Sequence, residues 1–179
     1  MNKLSVLLAI PCFNEQETIT TLMKEIKSYG QDFSTIIVDD GSHDATYQIA
    51  SQFFPTIRHL RNLGIGGAVQ TGIMYAEMND FDCCIQLDGD GQHPPSEINK
   101  LLRSYNETQN SIIIGSRYLL RDTFQSTWTR RLGSYVISQV LNILFPRCNI
   151  TDPTSGMRLM DRKAIKLFAQ RYPHDFPEP

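Results

Sequence analysis

Two carboxylates in the segment CCIQLDGDGQHPP, residues 83–95, lie close enough in the sequence to act on one ligand. Asp88 and Asp90 follow an apolar run and are separated by a single glycine. In an extended segment, residues i and i+2 point to the same side, so both carboxylates are available to one Mg²⁺ or Mn²⁺ ion. The alternative is a solvated turn, because Asp and Gly are common turn formers. Their spacing alone leaves both interpretations open.

The residues around this pair fit a bulky anionic ligand. Gly89 and Gly91 leave room for such a ligand to approach the backbone. Gln92 and His93 are available as a further ligand or as hydrogen-bond partners, although for His93 a surface position before two prolines is favoured. A cation held here would bridge to a diphosphate and stabilise its growing charge as a bond to it breaks.

Polar residues also follow three other apolar runs that read as strands. In a parallel sheet the carboxyl ends of the strands open onto one edge, where ligands bind. Turn chemistry alone does not explain polar side chains at all these ends. The additional residues are Asn14 and Glu15, Asp39 and Asp40, and Asn62 and Gly64.

Two further segments have a functional and a structural interpretation. The segment NLGIGGAVQTG, residues 62–72, is similar to a phosphate-binding loop that opens a helix, or it is a tight entry into a packed helix. The segment VDDGSHDAT, residues 38–46, supplies a helix cap at Ser42 with acids that favour the helix dipole. Alternatively, Asp39 or Asp40 accepts hydrogen bonds from a base or a ribose.

Arginines are concentrated after residue 116, among apolar side chains. Arginine suits bidentate phosphate recognition, although a solvated face is the alternative. Segment 117–131 is predicted as a loop whose aromatic and aliphatic residues meet lipid headgroups. Segment 133–145 is either part of this surface or a core helix. The arginines are Arg117, Arg121, Arg130, Arg131 and Arg158.

The elements that must position these residues alternate between short apolar runs and segments of helical spacing. This alternation predicts an α/β fold with a mostly parallel sheet flanked by helices. The predicted strands are 4–10, 34–40, 56–61, 82–87 and 111–116. The predicted helices are 15–30, 43–54, 65–79, 95–108 and 133–145, followed by a turn, a short strand and a final helix after residue 152.

Composition indicates one soluble domain of 179 residues. The net charge of −2 gives no basic field for nucleic acid, so a nucleic-acid partner is not expected. Four cysteines without CxxC spacing favour reduced thiols in the cytoplasm. The apolar start is read as a first strand rather than a leader, and no run reaches the roughly 18 apolar residues that span a bilayer.

Seven blocks of this sequence resemble, in order, the signatures of family 2 glycosyltransferases of the GT-A fold. The likeness is closest to the dolichol- and polyprenyl-phosphate sugar synthases and covers almost the whole chain. The blocks are IPCFNE (10–15), IIVDDGSHDAT (36–46), NLGIGGAVQTGI (62–73), QLDGDGQHPP (86–95), IIGSRY (113–118), RRLGS (130–134) and DPTSGMRLMDRKAI (152–165).

The resemblance implies a single GT-A domain over 1–179, with a nucleotide-sugar-binding half, 1–92, and an acceptor half, 93–179. Asp88, Asp90 and Gln92 would hold Mg²⁺ or Mn²⁺ on the diphosphate of a nucleotide sugar. The nucleotide sugar itself would contact Pro11, Phe13, Glu15, Asp39, Asp40, Asn62, Gly66, Gly67, Asp88 and Gly89.

The resemblance further implies inverting transfer of the sugar to a polyprenyl phosphate, by a protein in peripheral contact with the cytoplasmic face of the membrane. The catalytic residues would be Asp90, Arg117, Arg131 and Asp152, and the acceptor would contact Arg117, Arg130, Arg131, Ser155 and Arg158.

The chemical nature of the acceptor decides which catalytic groups the reaction needs. A lipid phosphate is already an anion and needs cationic clamps, whereas a sugar hydroxyl needs a carboxylate base, for which Asp152 and Asp175 are candidates. The alternatives are a transferase acting on a polysaccharide and a catalytically silent nucleotide-sugar-binding module. Similar proteins usually continue beyond the final YPHDFPEP, so activity and stable membrane attachment that depend on such a continuation are open.

Overall fold

Six strands form one mixed sheet in the order β3-β2-β1-β4-β6-β5. The computed structural model describes residues 4–29, 33–91, 94–116, 128–145, 152–153 and 155–172. Strands β1 to β4 pair in parallel, whereas β6 runs antiparallel between β4 and β5. The strands are β1 (Val6–Cys12), β2 (Ser34–Asp39), β3 (Thr56–Arg58), β4 (Cys83–Gln86), β5 (Ile112–Ile114) and β6 (Arg158–Asp161).

Helices cover both faces of the sheet. They are α1 (Ile19–Ser28), α2 (Thr46–Ala50), α3 (Ile65–Met78), α4 (Ile98–Thr108), α5 (Trp128–Leu144) and α6 (Arg162–Arg171), and a 3₁₀ turn at Pro95–Glu97 precedes α4. Alternate residues of β1 supply the two sides of the core. Leu8 and Ile10 pack in one cluster with α1 and α4, and Leu7 and Ala9 pack in the other with α3 and α6. Every residue of β1 is buried, as expected of a central parallel strand.

The predicted alternation and the mostly parallel sheet are confirmed, while several element boundaries differ. Helix α2 covers 46–50 rather than 43–54, and β3 ends at Arg58. The prediction that Ser42 caps α2 is wrong, because its hydroxyl accepts the Asn14 N–H instead. The carboxylate of Asp44 accepts the N–H and hydroxyl of Thr46 at the start of this helix.

Helix α5 differs most from expectation. The prediction of a loop over 117–131 is wrong for residues 128–131, which form the first turn of α5, and 117–127 lie outside the described residues. Ser138 is buried, but the apolar side chains of Ile137, Val140, Ile143 and Leu144 are exposed. The alternative of an ordinary core helix is therefore wrong. Within the described ranges, no helix is both long enough and apolar enough to cross a membrane.

Candidate active site

A cavity of about 330 Å³ opens at the carboxyl ends of β1, β2 and β4. Most of its wall comes from residues that the sequence singled out at the strand ends. The lining residues are Pro11, Cys12, Phe13, Glu15, Asp40, Asn62, Ile65, Ala68, Asp88, Gly89 and Asp90. Four of these side chains are carboxylates, so the cavity is strongly acidic.

Hydrogen bonds between the loops after β1 and β2 fix one wall. Asn14 adopts φ of 55°, its N–H donates to Ser42 Oγ at 2.9 Å, and its Oδ1 accepts the His43 N–H at 2.9 Å. The N–H of Glu15 donates to Thr46 Oγ1 at 2.7 Å. These bonds place Glu15 and the partly exposed Phe13 on the cavity wall.

The two adjacent acids after β2 have different surroundings. Asp39 is completely buried, and its Oδ2 forms an ion pair with Arg58 Nε at 3.1 Å. Neither of its carboxylate oxygens accepts a hydrogen bond within the described part of the chain, so this contact is electrostatic. Asp39 does not line the cavity, whereas Asp40 does. The structure thus separates two residues that the sequence left as alternatives.

Asp40 is held by groups from β3 and the loop that follows it. Its Oδ1 lies 2.6 Å from His59 Nδ1 and accepts the Leu63 N–H at 2.9 Å. Only 3% of the Asp40 side chain is exposed. These hydrogen bonds offset the loss of hydration that burial of the Asp40 side chain causes.

Gly41 brings the loop after β3 to the site. Its φ is +72°, and a Cβ here would lie 2.7 Å from the Arg61 carbonyl carbon and 2.9 Å from the Asn62 nitrogen. Glycine therefore allows the two loops to touch, which places Asn62 on the cavity wall.

Asp88 and Asp90 follow β4 on the opposite side of β1 from β2. Gln86 Nε2 donates to Asp88 Oδ1 at 3.2 Å. Gly156 lies directly against Asp88, since a Cβ at position 156 would overlap the Asp88 carboxylate. Although β6 is antiparallel, its first residue, Arg158, pairs with Gln86, so this part of the predicted acceptor half reaches the same edge.

The donor set fits a hard divalent cation that is shared with a ligand. Among the described residues, no three His, Cys, Asp or Glu side chains are close enough to hold a metal by themselves. Asp88 and Asp90 both line the cavity and supply only oxygen atoms. Mg²⁺ is usually held by one or two carboxylates together with phosphate oxygens and water, rather than by a complete protein cage. Gln92 lies outside the described residues.

The predicted acceptor residues are only partly described. Ser155 is buried, and its hydroxyl donates to Gly115 O and accepts the Met157 N–H. Arg158 Nε donates to Ser155 O at 2.9 Å. These contacts brace the turn before β6, and Asp152 is buried in the same turn. Acceptor contacts for these residues stay predictions.

Several predicted site residues have side chains outside the described part of the structure. Arg130 and Arg131 lie in the first turn of α5, but their side chains are outside the described part of the structure. Four further predicted residues also lie outside the described part of the structure, namely His93, Arg117, Arg121 and Asp175.

Three lining residues were missed, namely Cys12, Ile65 and Ala68. Gly66 and Gly67, which were predicted to line the pocket, lie in the first turn of α3 but are not in the lining. Ile65 and Ala68 were predictable from their i, i+3 spacing, because this spacing puts both side chains on the same side of a helix that starts at residue 65. Burial, together with the neighbouring carboxylates Asp39 and Glu15, raises the pKa of Cys12, so this wall carries a neutral thiol.

The family model of glycosyl transferase family 2 matches residues 8–168. The chain belongs to this family. The family 2 chain is 28% identical over 185 residues to a UDP-N-acetylglucosamine–dolichyl-phosphate N-acetylglucosaminyltransferase of Methanococcus voltae, covering 93% of this chain and 73% of the relative. It is 31% identical over 173 residues to a dolichol-phosphate mannosyltransferase of Pyrococcus furiosus, covering 92% of this chain and 47% of that relative.

The fold of this family 2 chain is that of solved GT-A enzymes. The mannosyl-3-phosphoglycerate synthase of Rubrobacter xylanophilus superposes with a TM-score of 0.69 at 18% identity, over 89% of this chain and 54% of that protein. The predicted GT-A fold is thereby confirmed. The chain spans about half the length of this synthase and of the Pyrococcus relative.

Proposed function

We propose that this family 2 chain transfers a sugar, with inversion, from a UDP- or GDP-sugar to a polyprenyl or dolichyl phosphate. The observation that carries the proposal is an acidic cavity that is lined by motif residues from four strand ends. The names of the Methanococcus and Pyrococcus relatives, both dolichyl-phosphate transferases, support the choice of acceptor.

The acidity of the cavity implies a cation as well as an anion. Glu15, Asp40, Asp88 and Asp90 would repel a bare diphosphate, so its binding requires positive charge in the cavity. We assign Asp88 and Asp90, with Gln92, to hold Mg²⁺ or Mn²⁺. When bound, the ion would neutralise charge that develops on the departing nucleoside diphosphate.

The nucleoside would occupy the side of the cavity nearest β2. Phe13 offers an aromatic face for the base, and Pro11 and Asn62 complete the wall. Asp40 is the better candidate than Asp39 for accepting a hydrogen bond from the base or the ribose, because only Asp40 lines the cavity. We propose that residues 1–92 form the nucleotide-sugar half and 93–179 the acceptor half.

The acceptor would approach from the side of β6, whose first residue pairs with Gln86. A lipid phosphate is itself the nucleophile, so this chain would need to bind and orient an anion rather than remove a proton. Arg117, Arg130, Arg131 and Arg158 are the proposed clamps, since guanidinium groups bind phosphate in a bidentate manner. Asp152 and Arg158 would shape the acceptor side, and Ser155 would keep their turn in place.

The exposed apolar side of α5 supports peripheral contact with the inner face of the membrane. Ile143 and Leu144 are 76% and 64% exposed, while Ser138 of the same helix is buried. Such a helix presents its apolar side outward, as interfacial helices do.

The proposal is tested by incubating the protein with radiolabelled UDP- and GDP-sugars, Mn²⁺, a polyprenyl phosphate and a soluble oligosaccharide. We expect label in the organic phase after lipid extraction, and only when the lipid and the metal are both present. Label in the aqueous oligosaccharide would instead support a polysaccharide transferase. Donor binding by calorimetry without any transfer would support a nucleotide-sugar-binding module.

A further inference from the structure

A chain of polar groups leads from Asp40 to helix α3. His59 Nδ1 lies 2.6 Å from Asp40 Oδ1, and His59 Nε2 lies 2.9 Å from Thr71 Oγ1. The Thr71 hydroxyl is also 3.0 Å from Gly67 O, one turn earlier in α3. Asp40 lines the cavity, whereas His59 and Thr71 do not. His59 is therefore placed to act through Asp40 rather than on a ligand directly.

The direction of one hydrogen bond follows from the chemistry of its partners. An ionised carboxylate only accepts hydrogen bonds, so His59 Nδ1 must carry the proton that points to Asp40. If the Thr71 hydroxyl donates to Gly67 O, its oxygen accepts from His59 Nε2–H. If the hydroxyl turns to donate to Nε2, the imidazole is neutral. In both cases Nδ1–H donates to Asp40.

The two oxygens of Asp40 have different surroundings. Oδ1 is contacted by His59 Nδ1 and accepts the Leu63 N–H at 2.9 Å. Oδ2 accepts no hydrogen bond from the residues that the structure describes. A carboxylate that is almost fully buried and has one oxygen without a donor is suited to accept a hydrogen bond from a ligand in the cavity.

We infer that His59 is a positioning residue for the nucleoside site. With Thr71 behind it, His59 holds Asp40 so that Oδ2 accepts an O–H or N–H from the nucleoside part of the donor. This inference rests on the proposed function. Without the imidazole, Asp40 is free to rotate, and the ligand loses a charge-assisted hydrogen bond worth roughly tenfold in affinity or more.

Two substitutions of His59 separate positioning from general stability. In His59→Asn, the amide nitrogen is attached to Cγ, as Nδ1 is, so the donor to Asp40 is retained. In His59→Gln, the amide nitrogen lies farther out, near the place of Nε2, so the donor to Asp40 is lost. By calorimetry with UDP and with GDP in Mn²⁺, H59N is expected within about threefold of the wild-type Kd and H59Q roughly tenfold weaker.

A double-substitution cycle makes the test specific to Asp40. Asp40→Asn alone should weaken binding of the preferred nucleotide, and adding H59Q to D40N should cause no further loss, because His59 acts only through Asp40. Thermal unfolding without ligand identifies variants that fail to fold. Should H59Q not fold, Thr71→Val takes its place, with an expected loss of roughly threefold.

The outcomes distinguish this inference from the proposed function. If D40N binds nucleotide as tightly as the wild type, or the wild type binds neither nucleotide, the proposed nucleoside site fails and this inference fails with it. If D40N weakens binding while folded H59Q does not, only the role of His59 is overturned. Equal losses in H59N and H59Q, or additive losses in the cycle, would also overturn it.

Discussion

Asp88 owes its place on the cavity wall to a glycine that is distant in the sequence. Gly156 occupies the space beside the Asp88 carboxylate, which any Cβ would fill. On the other side, the adjacent Gly89 approaches Pro11 O, from which a Cβ would be 2.9 Å away. The position of this carboxylate is thus set by two backbones that pass close to it.

Gly156→Ala should displace Asp88 and lower donor binding and transfer roughly tenfold, since overpacking of this kind costs about 1–3 kcal/mol. Gly115→Ala is the matched control, because the three atoms nearest to its Cβ would all belong to the Met157 side chain, at 3.3–3.4 Å, with no overlap. Steady-state transfer and calorimetric donor titration measure both variants. Equal activity of the two would contradict the role assigned to this contact.

The Asp44 carboxylate joins the loop after β2 to the loop after β1, because it accepts the Gln16 N–H. Burial acts to raise the pKa of Asp44, but hydrogen bonds from Thr46 and from the Gln16 N–H outweigh it and lower the pKa below the ordinary 3.8. A lowered pKa in the folded state means that these bonds stabilise the fold above pH 4. The contribution is lost as the pH falls through the native pKa.

Asp44→Asn is therefore expected to lower the free energy of unfolding by about 1 kcal/mol at pH 7, a limit set by the partial exposure of this side chain. The difference between wild type and D44N should shrink as the pH is lowered below 4. Urea unfolding at pH 7 and pH 3 measures it. A difference that grows in acid would show that the sign of the pKa shift is wrong.

Sequence reasoning at this scale found the polar residues at the strand ends but could not choose between neighbours. Adjacent residues at a strand end point to opposite faces of the sheet. To choose between Asp39 and Asp40, one would have to know on which face the cavity lies, and the sequence does not give this. The residues that support the site, among them His59 and Gly156, were not singled out. Their contacts join residues far apart in the sequence.

At the scale of elements, the sequence predicted the strands and most helices because their apolar patterns are local. The pattern failed where a side-chain contact decides a boundary. Helix α2 begins late because Asp44 holds Thr46, and the aromatic and basic start of α5 was read as a loop. The spacing of the apolar residues in α5 did not reveal that this helix buries Ser138 and exposes apolar side chains.

Helix α5 provides the test of membrane contact. Ile143→Glu places a charge on its outward side and should reduce binding to vesicles of phosphatidylcholine and phosphatidylglycerol by roughly tenfold, because burial of a large apolar side chain contributes about 1.5–3 kcal/mol. It should also reduce use of the lipid acceptor. Vesicle co-sedimentation and the transfer assay measure these effects.

Met78→Glu is the matched control, because Met78 on α3 is 75% exposed and Ile143 is 76% exposed. We expect M78E to bind vesicles as the wild type does. Comparable losses in both variants would mean that added negative charge, rather than the position on α5, weakens binding.

At the scale of the whole molecule, the net charge of −2 is small, but four of the nineteen acidic residues line one cavity. Nucleotide binding should therefore depend on a divalent ion. With UDP or GDP at about 100 times its Kd and Mn²⁺ present, we expect the Tm of the wild type to rise by about 5–10 °C. Asp90→Ala should abolish the part of this shift that requires Mn²⁺.

Glu107→Ala removes one exposed acid from α4 and serves as the charge-matched control. Its Mn²⁺-dependent shift in Tm should equal that of the wild type. If D90A retained the full shift, Asp90 would not hold the metal.

The position of β6 between β4 and β5 has a consequence for how the chain is made. Strand β5 is synthesised before β6, its one hydrogen-bonded neighbour among the described strands, and the sheet edge beside β4 stays open until then. A growing polypeptide still on the ribosome therefore cannot complete the part of the sheet beside β4 until about residue 161 has emerged. Nascent chains halted before that point should expose two unpaired edges, which makes them targets for chaperones.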